Sequence, residues 1–268
     1  MTAPPLVSRF RELHESGCFV LPNPWDLGSA KVLVQLGFKA VATTSCGLAW
    51  TLGVRDHAVT LEQKLAHLRV MTAAVPVPVN ADFEKGFAVA PVEVAANVTA
   101  AAATGIAGLS IEDSTGDPSN PLFDLSLAVE RMRAAREALD KSGTGVLLTG
   151  RSEGFLVGRP DLAETIRRLR AYADAGAECL YAPGLRTVAE ITAVVEAVAP
   201  KPVNALIGSD VATVEQLARI GVRRISVGGA LARVAWTGFL QAAQEIAERG
   251  SFAELGRAMP FKEINTKF

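Results

Sequence analysis

Pro76–Ala88 reads PVPVNADFEKGFA, and the rest of the chain is placed by how this stretch is taken. The apolar run on Val77 and Val79 reads as a short buried strand that ends in Asp82 and Glu84, with Gly86 closing it. Side chains alternate along a strand, so the two acids, two positions apart, are expected to point the same way. Carboxylates brought to one strand end repel unless a positive charge lies beside them. A second strand-like run, Gly108 to Ile111, also ends in acids, Glu112 and Asp113. Carboxylates converging from consecutive strand ends, with no histidine or cysteine cluster nearby, suit a hard cation such as Mg2+, or Mn2+, better than zinc. The plainer alternative is a solvated acidic loop with helix caps.

Outward from this stretch, strand and helix alternate. Helices are expected at 6–16, 27–36, 61–74, 91–104, 127–139, 161–175, 188–198, 211–220 and 230–249. Short apolar runs between them read as strands at 18–21, 39–44, 76–82, 108–112, 145–149, 179–181, 202–206 and 224–227. Eight strands alternating with helices argue for a (β/α)8 TIM barrel filling residues 1–268 as one domain. An open Rossmann-type sheet is less suited, because no G-x-G-x-x-G follows the first strand. Residues 113–124, DSTGDPSNPLFD, are polar and aperiodic with two prolines, and are expected to form a mobile flap beside the acids. In a barrel, all the candidate residues fall at the carboxyl ends of strands, where active sites of this fold lie.

The chain has 268 residues, 49% of them apolar, and a formal net charge of -1. Neither nucleic acid nor a membrane surface is expected as a partner from that balance, and a small molecule or another subunit is. Cys18, Cys46 and Cys179 have no metal or disulfide spacing, which fits a reducing compartment. With no apolar segment of signal-peptide or membrane-span length, a cytoplasmic protein is expected.

Arg151 closes an apolar strand, so its guanidinium is expected in the barrel mouth, holding either a ligand carboxylate or a neighbouring acid such as Glu153. Ser45 and the amides around Cys46 and Gly47 form a donor-rich turn able to hold a carboxylate, or else an ordinary capped turn. Cys46 has no histidine partner in the sequence and reads as a packing residue rather than a nucleophile. Gly228 and Gly229 read either as a phosphate-binding turn or as close helix packing. His57, beside Asp56, is the one histidine placed to act as an acid or base. Lys85 and Lys201 are poorly placed for a Schiff base.

The pieces PNPWDLGSA, ATTSCGL with LGVRD, DFEKGFA, GLSIED, GRSEGFLVG, YAPGL, KPVN and ISVGGALAR, in this order, resemble the isocitrate lyase and phosphoenolpyruvate mutase superfamily. Its D-x-D-x-G-[YF]-G signature aligns with Asp82, Glu84, Gly86, Phe87 and Ala88, a glutamate standing for the second aspartate. The resemblance implies Mg2+ held by Asp82, Glu84 and Glu112, and a 2-oxo acid bound by Ser45, Cys46, Gly47 and Arg151, with Asn204 and Trp25 from the matching motifs and Asp56 nearby. It implies Arg151, Asp56 and Ser45 as the catalytic groups, and a homodimer or homotetramer that exchanges the eighth barrel helix. The K-K-C-G-H motif of the isocitrate and methylisocitrate lyases is absent, and Pro118 stands about where the phosphonate-processing members carry a flap lysine. The expected activity is therefore a Mg-dependent carbon–carbon lyase of the oxaloacetate decarboxylase kind, passing through a pyruvate enolate. A P–C mutase or hydrolase, and a 2-oxo acid binder without chemistry, are the alternatives.

Overall fold

Valine, leucine, isoleucine and alanine dominate the short runs between turns, and burial on both faces turns them into parallel strands. The computed structural model describes residues 5–268. Its strands are β1 Phe19–Leu21, β2 Val41–Ala42, β3 Val79–Asp82, β4 Gly108–Glu112, β5 Leu147–Arg151, β6 Cys179–Tyr181, β7 Val203–Leu206 and β8 Arg224–Ser226. All pair in parallel in the order β1-β8-β7-β6-β5-β4-β3-β2. The remaining seam, between β1 and β2, is bridged by Ala42 N–H donating to the Pro22 carbonyl at 2.9 Å. The strands thus form a (β/α)8 barrel, as the alternation predicts.

Around it lie α1 Pro5–Glu15, α2 Leu27–Gln35, α3 Ser45–Thr51, α4 Leu61–Ala74, α5 Pro91–Ala102, α6 Leu125–Ser142, α7 Leu162–Asp174, α8 Val188–Val198, α9 Val214–Arg219, α10 Ala230–Arg249 and α11 Phe261–Asn265. Sequence chemistry sets several starts: Thr60, Thr187 and Thr213 each accept from the amide three residues on, and a glutamine or glutamate there returns the bond. α1 closes the amino end of the barrel, with Phe10 and His14 buried. After α10 the chain runs back through α11, and the Lys267 carbonyl accepts from Gln35 Nε2 of α2 at 2.7 Å. α10 buries only Ala232, and Val234, Phe239 and Leu240 on it are exposed.

Two expected segments differ. Ser45–Gly47 is not a free turn but the first turn of α3. The 113–124 segment is anchored at both ends: Ser114 and Leu122 form an antiparallel bridge, Phe123 is buried, and the tip at 116–120 is exposed. Lys85 Nζ, past the β3 acids, donates to the Thr115 carbonyl at 2.5 Å and ties the flap to the β3 loop.

Candidate active site

Arg151, the last residue of β5, is the hub of the barrel mouth. Its Nη1 lies 3.1 Å from Asp82 Oδ1 and 3.2 Å from Glu112 Oε2, and its Nε donates to Glu153. Its guanidinium carbon also sits 5.2 Å from the Tyr181 ring centroid. Parallel register brings these groups together: Glu112 pairs with Arg151, and Arg151 with Tyr181. Burial alone would lower the Arg151 pKa, but Glu153, Glu112, Tyr181 and Asp82 together raise it. For Asp82, burial works upward, while Arg151 and Lys64 overcome it and hold the carboxyl below its ordinary value. Burial pushes the Glu112 carboxyl well above the ordinary range against the pull of Arg151. Of the two expectations for Arg151, the pairing with Glu153 is present, and the guanidinium also lines the cavity.

The strand argument for Asp82 and Glu84 fails at Glu84. β3 ends at Asp82, and Glu84 takes a left-handed φ of 48° in the following turn, so strand alternation no longer applies. Its Oε2 lies 3.2 Å from Nδ1 of His57. That hydrogen bond, with Asp56 assisting against partial burial, raises the His57 pKa to about 9. The turn is fixed from below by Arg131 of α6, which is 1% exposed, lies 4.0 Å from the Phe123 ring centroid and donates to the carbonyls of Lys85 and Ala88.

Among the described residues, no three carboxylate, histidine or cysteine side chains are arranged to hold a cation unaided, and Arg151 and His57 occupy several of the carboxylate oxygens. The buried Oε1 of Glu84 nevertheless has no partner, and every donor in the set is oxygen. This fits Mg2+, which keeps several waters and takes one or two protein carboxylates along with substrate oxygens.

Ser45 N–H donates to Asp82 Oδ2 at 2.8 Å, and Asp82 N–H to Thr43 Oγ1 at 3.1 Å, so β2 and α3 hold the acid from two sides. A cavity of about 200 Å³ opens between these groups and is lined by Ser45, Cys46, Asp56, Asp82, Arg151 and Asn204, among others. Trp25 and Gly47 do not line it. They pack on each other: a Cβ on Gly47 would stand 2.6 Å from that of Trp25. The Cys46 thiol is pushed up by burial and packs against Gly229, where an added Cβ would meet Sγ at 2.5 Å. Asn23 Oδ1 accepts from the amides of Val227 and Gly228 at 2.9 and 2.8 Å, and Gly229 packs closely on Cys46, while both glycines line the cavity. Asn204 reaches the cavity but spends its amide on Ser226 and Arg224.

Sequence reading missed four buried cations: Arg131, Arg168, Arg224 and Lys64. Lys64 of α4 is 0% exposed, with Nζ 3.3 Å from Thr43 Oγ1. Burial lowers its pKa, opposed by Asp82, Glu84 and Asp56. A lysine on an amphipathic helix reads as solvated; only its spacing with buried Leu68 and Met71 places it on the inner face. Asp113, grouped with the other acids in the sequence, is instead structural: it accepts from Tyr172 Oη at 2.6 Å and Arg168 Nη1 at 3.1 Å.

Residues 10–247 match the sequence model of the family described as Phosphoenolpyruvate phosphomutase. An uncharacterized protein of Mycobacterium tuberculosis is 32% identical over 262 residues, covering 96% of this chain and 95% of that one. An oxaloacetate decarboxylase of Bradyrhizobium diazoefficiens is 29% identical over 192 residues, 69% of this chain and 65% of that one. Among solved structures, a protein from Burkholderia cenocepacia provisionally assigned as a lyase/mutase is 44% identical with a TM-score of 0.94, covering 97% of this chain and 95% of that one.

Proposed function

Starting from a chain that belongs to the phosphoenolpyruvate phosphomutase family, and so to the lyases and mutases of the isocitrate lyase superfamily, we propose that this enzyme breaks a carbon–carbon bond of a 2-oxo dicarboxylic acid, in the manner of an oxaloacetate decarboxylase. The observation that carries this reading is an anion clamp without a nucleophile. Arg151 stands braced in the mouth, the nearby Cys46 thiol is held protonated by burial, and the flap tip carries neither lysine nor cysteine. The similarity to an oxaloacetate decarboxylase supports it.

Asp82, Glu112 and Glu84 are the residues that would hold Mg2+, which when bound supplies a Lewis acid drawing electrons toward the 2-oxo oxygen. Arg151 and the Ser45 turn fix the adjoining carboxylate and align the C3–C4 bond with the carbonyl. That bond breaks with its electron pair passing into the C2–C3 enolate while carbon dioxide leaves, and a proton then added at C3 completes pyruvate. Bond breaking needs no protein base, which agrees with a flap poor in such groups. Asp56 and His57 border the mouth on the flap side.

The same reading makes the enzyme a homodimer or homotetramer with α10 exchanged between subunits, supported by the exposed apolar residues of α10.

The test is pyruvate release from oxaloacetate with Mg2+ and with chelator, with phosphonopyruvate run in parallel. Metal-dependent pyruvate above the free-metal rate is expected, and Arg151→Gln should lower it by about 100-fold or more. Asp82→Asn should also abolish the rise in melting temperature that Mg2+ gives the wild type. Oxaloacetate turnover no faster than with free metal, alongside turnover of phosphonopyruvate, overturns the reading in favour of P–C chemistry.

A further inference from the structure

Arg224, the first residue of β8, is 2% exposed inside the barrel. Its Nε donates to Asn204 Oδ1 at 2.8 Å, its Nη2 to Thr149 Oγ1 at 3.2 Å, and its Nη1 lies 3.3 Å from His14 Nε2. None of these partners carries negative charge. His14 Nδ1 lies 2.7 Å from the Phe10 carbonyl, so Nδ1 bears the proton and Nε2 accepts. Burial first, and then Arg224 itself, depress the His14 pKa to about 3, so the ring is neutral at physiological pH. Among the described residues no carboxylate lies within ion-pair distance of Arg224, in contrast to Arg151, which has three.

A buried guanidinium without a counterion is costly and calls for an anion. Arg224 has five N–H donors, of which the three contacts above use three. It also lines the same cavity as Arg151 and Ser45. Thr149, which Arg224 touches, and Arg151 are two residues apart on one inward face of β5, a separation of about 7 Å along the strand. The cavity therefore has a guanidinium at the mouth, already shared among three carboxylates, and a second, unshared one a single barrel layer deeper.

We propose that Arg224, through the N–H donors its protein contacts leave free, forms a second anion subsite on the cavity floor that receives one carboxylate of a dicarboxylic ligand whose other acidic end is held by Arg151 and the Ser45 turn. The proposal rests on the 2-oxo acid reading of this cavity and adds to it the way the enzyme distinguishes diacids from monoacids.

The test compares two ligands of equal chain length, 2-oxoglutarate and 2-oxopentanoate, which differ only in a distal carboxylate against a methyl. Their affinities are measured calorimetrically with Mg2+ on the full-length wild type, Arg224→Gln and Arg151→Gln. The wild type should bind 2-oxoglutarate about tenfold or more tightly than 2-oxopentanoate. Arg224→Gln should bring the two together by weakening 2-oxoglutarate alone, whereas Arg151→Gln should weaken both. Equal wild-type affinities, or an Arg224→Gln protein that loses both ligands alike, overturn the subsite while leaving the 2-oxo acid reading in place. Binding of neither ligand to the wild type overturns that reading, and the subsite with it. If Arg224→Gln does not fold, Arg224→Met removes the charge at similar volume, and a full gap between the ligands in that variant overturns the proposal.

Discussion

Replacing Lys64 with methionine would remove a positive charge from the wall behind Asp82 and change the side-chain volume little. The ammonium is fully buried with one hydroxyl as its hydrogen-bond partner, and it attracts the site acids through space. A buried charge with so few partners adds little to stability, but it competes with any cation for the same carboxylates. Lys64→Met is therefore expected to bind Mg2+ several-fold more tightly than the wild type and to melt no lower. Titration of melting temperature against Mg2+ reads both, and an unchanged or weaker Mg2+ midpoint would show that Lys64 does not share the field of the site. The identity of Asp82, Glu112 and Arg151 as a group was legible in sequence because each closes an apolar run. Lys64 was not, because helix position alone does not say that a long side chain turns inward beneath a strand end.

At the scale of elements, α10 is the anomaly. Twenty residues long, it buries one of them, and it carries Val234 at 71% and Phe239 at 60% exposure. Large apolar side chains grouped this way on one exposed helix are what an interaction surface carries. If α10 forms the contact of the proposed dimer or tetramer, Phe239→Glu is expected to give a smaller species than the wild type, read as mass by light scattering after gel filtration, with the far-ultraviolet circular dichroism retained. An unchanged mass would remove α10 from the subunit contact. The β3 loop makes the opposite point about legibility. DFEKGFA was readable as a site, yet its course depends on Arg131 of α6, more than forty residues away, gripping the carbonyls of Lys85 and Ala88. That grip holds Glu84 in its turn toward His57, away from the face where strand alternation would have put it.

The whole molecule carries a prediction about acid. His14 is buried at the amino end of the barrel with a pKa near 3, against 6.5 when unfolded. Because the folded value is the lower one, the native state gains its full advantage above pH 6.5 and loses it as pH falls from there toward 3, by up to about 1.4 kcal/mol per pH unit. His67, lowered to about 4 by burial, adds a second loss in the same direction. His14→Gln is expected to flatten the fall in denaturant stability between pH 6.5 and 4 relative to the wild type, and parallel curves for the two proteins would show that His14 is not the group responsible. The sequence by itself determined the eight strands and nine of the eleven helices of the described residues, the barrel, and the strand ends that carry the acids and Arg151, since hydrophobic period and turn residues are local properties. Only the tertiary structure decided which charges meet. Glu84 pairs with His57 across 27 positions, Arg151 with Asp82 across 69, and Arg224 with His14 across 210. Such pairings follow from barrel closure and side-chain reach through space, which no spacing along the chain encodes.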